Sequence, residues 1–263
     1  MHLVRLRAPI AAACLLLVLA SCSGRGFGRQ YEYEEQLYLS AGGSAVVVLN
    51  ASIPSLVALH GFPLDTAPRG RLDRNEVRAL VSEPGLEIAR VSRPWRRNGR
   101  QFIQIRAEID DVRKLSATKL FRSTQYSLAD GPDSTREYRQ RVGAPTSPAP
   151  VTTNWDGSEL VAFKLHLPSR VHAHNVRLLD TNETGSVARG NILTWEQRLA
   201  DRVKGAPVDL AVTMDRGSIL YRTLGLFAAS FAAAMLLLAA IIWRIVHRGR
   251  QRARMADRRA PGA

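Results

Sequence analysis

Cysteine is confined to the first 22 residues, at Cys14 and Cys22. The rest of the chain therefore has no disulfide, no thiolate metal site and no Cys nucleophile. A Gly-x-Ser-x-Gly elbow and a phosphate loop are also missing. No His-x-Glu or Glu-x-x-His pattern accompanies the histidines, so the sequence implies neither metal nor cofactor. The linear sequence shows no stripe of interleaved basic and aromatic residues, which argues against a nucleic-acid partner despite the net charge of +14. Of that charge, Arg5 and Arg7 supply +2, and the last twenty residues, with seven arginines and one aspartate, supply +6. That leaves +6 for the long middle, which is large enough to fold without disulfide support.

Charge is absent from 223–243, and the residues there are mostly Leu, Ala, Phe and Ile. Twenty-one residues at about 1.5 Å each reach about 31 Å, which matches a hydrocarbon core of about 30 Å. Tyr221 and Trp243 sit where interfacial aromatics belong, and Arg222 and Arg244 bracket the run. We expect a transmembrane helix over 219–243 and a basic cytoplasmic tail over 244–263, by the positive-inside rule. Gly225, Ala229 and Ala233 recur every fourth residue, a spacing that lets two helices approach closely and is a candidate homodimer face.

At the other end, Arg5 and Arg7 precede a short apolar run that ends in Leu19-Ala20-Ser21-Cys22. A basic start, a run too short to span and small residues make a signal-peptide pattern over 1–21. The four residues around Cys22 resemble a bacterial lipobox, in which the Cys becomes the lipidated first residue of the mature chain. Both devices place the middle outside the cytoplasm, on a bacterial cytoplasmic membrane.

The middle reads as a tether over 22–30 and a domain over 31–217. Tyr31, Tyr33, Leu37 and Leu39 share one side of an alternating run, and Gly42-Gly43 turns it into a partner strand over 44–50. Ser52 with Pro54 opens a short helix that Gly61 ends, and Asp73 with Glu76 resembles a capping box for a second. Asn98-Gly99 marks a hairpin between strands near 86–91 and 102–109. Asp110 is expected to cap a short helix holding Val112 and Leu115. Strands follow near 121–128, 136–142, 159–167, 170–178, 192–198 and 208–214, with a Pro-rich loop over 143–153. Hairpins mixed with short helices argue an α+β, sheet-rich extracytoplasmic domain, with one C-terminal transmembrane helix beyond it.

Candidate chemistry is sparse. His172 and His174 would face the same way on a strand, as two metal ligands do, and His166 lies nearby in sequence. Glu34 and Glu35 are strand neighbours, so they should point to opposite faces. Trp195, in the run Gly190-Asn191-Ile192-Leu193-Thr194-Trp195, is either a core residue or an aromatic wall of a cleft.

Cys22, the Tyr/Glu-rich first strand, the Gly-Asn-x-x-Thr-Trp run and the terminal helix with its basic tail together resemble LppM-like bacterial lipoproteins in layout. That resemblance implies a sheet-rich α+β outer module that binds envelope lipid or glycolipid. It carries over no site residue. The expected function is a noncatalytic envelope lipoprotein. Its partners would be membrane lipids, a membrane protein or a second copy joined through the helix. An envelope hydrolase acting on lipid or glycan, and an assembly scaffold, are the alternatives.

Overall fold

A computed structural model describes residues 29–257. The segment expected to be a signal peptide and Cys22, the expected lipidation site, lie outside the described residues. Strand β1 (Tyr33–Leu39) turns through Gly43, at φ 93°, into β2 (Ala45–Ser52). Helix α1 (Ile53–His60) follows at once, because the Ser52 hydroxyl accepts the Ser55 N–H at 3.1 Å and Pro54 suits a first turn. Gly61, at φ 65°, ends it in the left-handed region. Helix α2 (Arg74–Val81) is capped by Asp73, whose carboxylate takes the Asn75 N–H at 2.8 Å.

The next hairpin has three arms where the sequence suggested two. Strand β3 (Glu87–Val91) and a short β4 (Trp95–Arg97) both pair with β5 (Arg100–Ile109). Pro94, which has no N–H to give a ladder, separates the first two. Asn98 and Gly99, at φ 49° and 73°, make the tight β4–β5 turn that their types predict. After β5 a 3-10 turn (Val112–Ala117) is capped by Asp111, not by the expected Asp110. Asp111 has the extended backbone of a cap, and its carboxylate accepts the Arg113 N–H at 2.9 Å.

Strands β6 (Thr124–Asp130) and β7 (Thr135–Val142) form another hairpin, and the Pro-rich loop carries the chain to β8 (Leu160–His166). Strand β9 (Val171–His174), strand β10 (Ile192–Arg198), helix α3 (Leu199–Val203) and strand β11 (Val208–Asp215) complete the domain. Helix α4 (Ile219–Asp257) ends the description.

Two sheets result. The larger runs β10-β8-β1-β2-β5-β3, with β4 on the outer part of β5, and the smaller runs β6-β7-β11-β9. Strand β8 lies parallel to β1, opposite Tyr33 to Tyr38, so the second half of the chain is woven into the first. Alternation puts Leu37, Val47, Ile105 and Leu165 on the inner face of the large sheet, each about 1% exposed. Tyr138, Leu210 and Val212 of the small sheet belong to the same buried cluster. The protein is thus a sheet-rich α+β domain followed by one long apolar helix.

Candidate functional site

The junction with α4 orients everything else. Only three residues separate β11 from α4, and they are held to the domain. The Ile219 N–H donates to the Pro168 carbonyl at 3.0 Å, and the Ser169 hydroxyl donates to the Gly217 carbonyl at 2.8 Å. Arg216 donates from its backbone to Ser134 O and from its guanidinium to Asp130, at 2.9 and 2.8 Å. Arg136 donates to Ala41 O at 2.6 Å, which brings the β1–β2 turn to the same place. One end of the large sheet, made of the β1–β2 turn, the end of β5 and the β8–β9 turn, therefore stands beside the start of α4.

Within residues 219–247 of α4, an 18-residue stretch has a mean hydropathy of 2.4, and none of that stretch is buried against the domain. This is a helix long and apolar enough to cross a membrane. Its helical backbone continues past 243, the expected end of the span, to Asp257. Gly225, Ala229 and Ala233 are all exposed, and a Cβ added at Gly225 would meet nothing within 4 Å. Trp243 is 68% exposed and stacks on His247, with ring centroids 5.3 Å apart.

Two open grooves lie at the helix end of the sheet. One, of about 470 Å³, is lined by Tyr38, Ser44, Glu87, Glu108 and Asp110. The other, of about 370 Å³, lies between Gly42-Gly43, Asp111, Arg113, Asp130 and Arg136. The first groove is also lined by Ala45, Val46, Leu86 and Ile109 and is amphipathic, whereas the second is mostly polar and suits a polar head group better than an acyl chain.

The most perturbed chemistry is buried between the sheets and was missed from sequence. Glu35 follows Tyr33 and precedes Leu37 on the inner face of β1, and it is 3% exposed. Its Oε1 accepts from Gln140 Nε2 at 2.8 Å and from the Tyr126 hydroxyl at 3.3 Å, while the Tyr138 hydroxyl donates to Gln140 Oε1 at 2.8 Å. Burial raises the Glu35 pKa to about 7, against the pull of those donors and of Arg202. Across the same small cavity, burial lowers the His60 pKa to about 4, and Arg202 and Arg122 push the same way. His60 Nε2 is sealed and has no hydrogen-bond partner. The cavity between them measures about 10 Å³, the size of one water molecule. The strict period of two places Glu35 inside, so the signal was present in the alternation itself.

At the far end of the sheet, Arg100 is pinned in a buried ion pair with Glu32 at 2.7 Å and donates to Asn154 Oδ1 at 2.8 Å. Glu159 takes the Asp156 and Gly157 N–H groups at 3.0 Å each. These contacts fasten the end of the Pro-rich loop, with Trp155 packed against the core.

The histidines do not converge. His166 lies in the large sheet, stacked on Tyr38 with centroids 4.0 Å apart. His172 lies in the small sheet, 2.6 Å from Asp215, and His174 Nδ1 accepts the Val176 N–H at 3.3 Å. Among the described residues, no group of three His, Cys, Asp or Glu could hold a metal ion. Trp195 is a core residue, 4% exposed, with its indole N–H on Asn175 Oδ1 at 3.0 Å.

The sequence matches no protein-family model and no curated protein. Among solved structures, the folded domain of Mycobacterium tuberculosis LppM, determined by NMR, aligns with 73% of this chain and 94% of its own length. The two share 15% identity with a TM-score of 0.35. The chain is a distant structural neighbour of that domain.

Proposed function

We propose that this chain is a noncatalytic envelope protein, anchored in a bacterial cytoplasmic membrane, whose outer domain binds envelope lipid, glycolipid or a membrane-protein partner. The observation that carries the reading is the junction. An unburied apolar helix begins three residues after β11 and is hydrogen-bonded to the end of the domain that holds both grooves. With the helix in a bilayer, those grooves stand at head-group height, where lipid or the outer face of another membrane protein is the nearest ligand. The Glu35–His60 pair faces a space that admits one water and no substrate, which favours a binding role over hydrolysis.

Two measurements test the anchoring. A Ser158→Cys reporter should react with a membrane-impermeant maleimide in intact spheroplasts, while a reporter at Ala260 should react only after lysis. The reverse pattern sinks the outward orientation. Intact mass spectrometry should show a chain starting at Cys22 with acyl mass, lost in Cys22→Ala. An unmodified chain would leave α4 as the sole anchor. For the binding role, the purified full-length protein is tested against vesicles of envelope lipid extract, and absence of binding overturns the lipid reading.

A further inference from the structure

The stretch from Arg69 to Arg106 holds ten arginines, no lysine and four acids. The remainder of 29–217 holds 16 basic and 18 acidic residues, so the positive excess of the described domain is concentrated in this stretch. The fold gathers it at one edge of the large sheet. Gln101, on β5, donates to the carbonyls of Ala67 and Gly70 at 3.3 and 2.7 Å, which lays the loop of Arg69 and Arg71 along the sheet. Arg96 is the cross-strand partner of Gln101, so it projects on that same side. Arg74 opens α2, which is tied to β3 where Arg78 donates to Ile88 O. On the other side of the edge, Arg90 sits directly opposite Arg106, a like-charge pair that a sheet does not favour on its own.

Arg69, Arg71, Arg74, Arg90, Arg93 and Arg96 are all exposed. Among the described residues, none of their guanidinium groups has a carboxylate or hydrogen-bond partner; the Arg93 carbonyl accepts from the Ser92 hydroxyl at 3.0 Å. On the face of Arg90, opposite to that of Arg96, Trp95 is 39% exposed and stacks on its cross-strand partner Phe102 with centroids 5.8 Å apart, while the Arg97 guanidinium lies over the same Phe102 ring at 4.2 Å. The indole is therefore held rigid with part of its surface open.

We propose that this β3–β4 edge binds an acidic polysaccharide that runs along its rim, with arginines from both faces on its anionic groups and Trp95 stacked on a sugar ring. Guanidinium forks match carboxylate, sulfate or phosphate oxygens bidentately, and an array along an edge matches a repeating anion. A protein partner would need a desolvated apolar centre, and apart from Trp95 the exposed large hydrophobics of the domain are Tyr38 and Leu178. Lipid of the anchoring bilayer is out of range of the outer part of the edge. Arg96, opposite Gln101, stands eight residues along β5 from Ile109 at the helix end, or about 26 Å at ~3.3 Å per residue. That is more than twice the Debye length of about 8–10 Å, whereas Arg90, opposite Arg106, is about 10 Å from the same end. The surface thus serves a second ligand at the outer end of the domain. It depends on the outward orientation proposed above, but not on lipid binding at the grooves.

The test uses the full-length protein in nanodiscs of zwitterionic lipid, with heparin and polygalacturonate as probes and dextran as the neutral control. Binding to both acidic glycans and not to dextran is expected. Arg93→Gln with Arg96→Gln should weaken it at least 10-fold and flatten its salt dependence by about two counterions, as each arginine neutralises one anion. Trp95→Ala should weaken it several-fold with the salt dependence unchanged. The two arginine side chains are exposed, so the melting temperature of that double variant should stay constant; Trp95→Ala loses the stack on Phe102, so Trp95→Phe, which should keep both the melting temperature and most of the binding, is its folding control. No binding at low salt, or binding untouched by these variants, overturns the proposal. Equal binding to single-stranded DNA or to phosphatidylglycerol vesicles, insensitive to Trp95→Ala, also overturns it, because the surface would then read charge alone. Failure of the maleimide pattern would instead strike the orientation and leave the binding result standing.

Discussion

Glu35 and His60 line the same small cavity with opposite protonation preferences, and their effects on stability can be separated. The folded Glu35 carboxyl holds its proton up to about pH 7, whereas an unfolded one releases it near 4.5. Its contribution is therefore complete at low pH and is lost as pH rises from 4.5 to 7. The folded imidazole of His60 stays neutral down to about pH 4, whereas an unfolded one protonates near 6.5. Its contribution is complete above 6.5 and is lost as pH falls towards 4. Between pH 4.5 and 6.5 these two slopes oppose each other and largely cancel, leaving the smaller loss at low pH from His166, whose pKa burial also lowers. Glu35→Gln leaves only the histidine slopes, so that variant should lose about 2 kcal/mol from pH 6.5 down to 4.5. His60→Phe leaves the carboxyl slope alone and should lose a similar amount from pH 4.5 up to 6.5. Urea melts at three pH values decide it, and parallel profiles for all three proteins would disprove both assignments. The burial of Glu35 was legible from its place between Tyr33 and Leu37. Its partners Tyr126 and Gln140 were not, since they come from strands about a hundred residues away.

At the scale of elements, local chemistry was read well where it is self-contained. Ser52, Pro54 and Gly61 bound α1 where their side-chain chemistry places its ends, and Asn98-Gly99 turns the hairpin. The reading slipped by one residue at Asp110 and Asp111, because two adjacent aspartates offer the same capping oxygen and only the backbone decides between them. Strand β4 was overlooked because three residues are too few to show a period. Gly61 also does something that a helix-end signal does not reveal. A Cβ there would sit 2.5 Å from the Ser147 carbonyl, so the glycine lets the Pro-rich loop lie against the end of α1. Gly61→Ala combines a left-handed backbone with that overlap and should destabilise the domain by about 1–3 kcal/mol. Gly85, at φ 84° with nothing near it, is the control, and Gly85→Ala should bear only the backbone strain, about 1 kcal/mol. Equal losses at the two sites, measured by chemical denaturation, would show that the loop does not pack there.

For the molecule as a whole, the sequence yields the class and the span but not the weave. Alternating runs announce strands without saying which neighbours they choose, and the parallel pairing of β8 with β1 joins residues more than 120 positions apart. That pairing is what commits both halves to one buried cluster. Helix α4 takes no part in the core, so anchoring and folding should be separable. A ten-residue Gly/Ser linker inserted after Gly217 should leave the domain's unfolding free energy in urea within about 0.5 kcal/mol of wild type, because it interrupts only the junction hydrogen bonds. The same insertion frees the domain to leave head-group height, spreading it over a flexible reach of about 5–6 Å times the square root of the linker length. A fluorophore on Gly42→Cys, at the helix end of the sheet, should then be quenched less by spin-labelled lipid than in the uninterrupted protein. Gly225→Leu with Ala229→Leu should leave both readings unchanged, since those side chains point to open space in a single copy. Loss of a cross-linked dimer in that double variant would shift the reading from a binding module to a scaffold assembled through its helix. Unchanged quenching on linker insertion would mean that the domain holds the bilayer surface by its own contacts, and the grooves at the helix end would then be the first place to look for them.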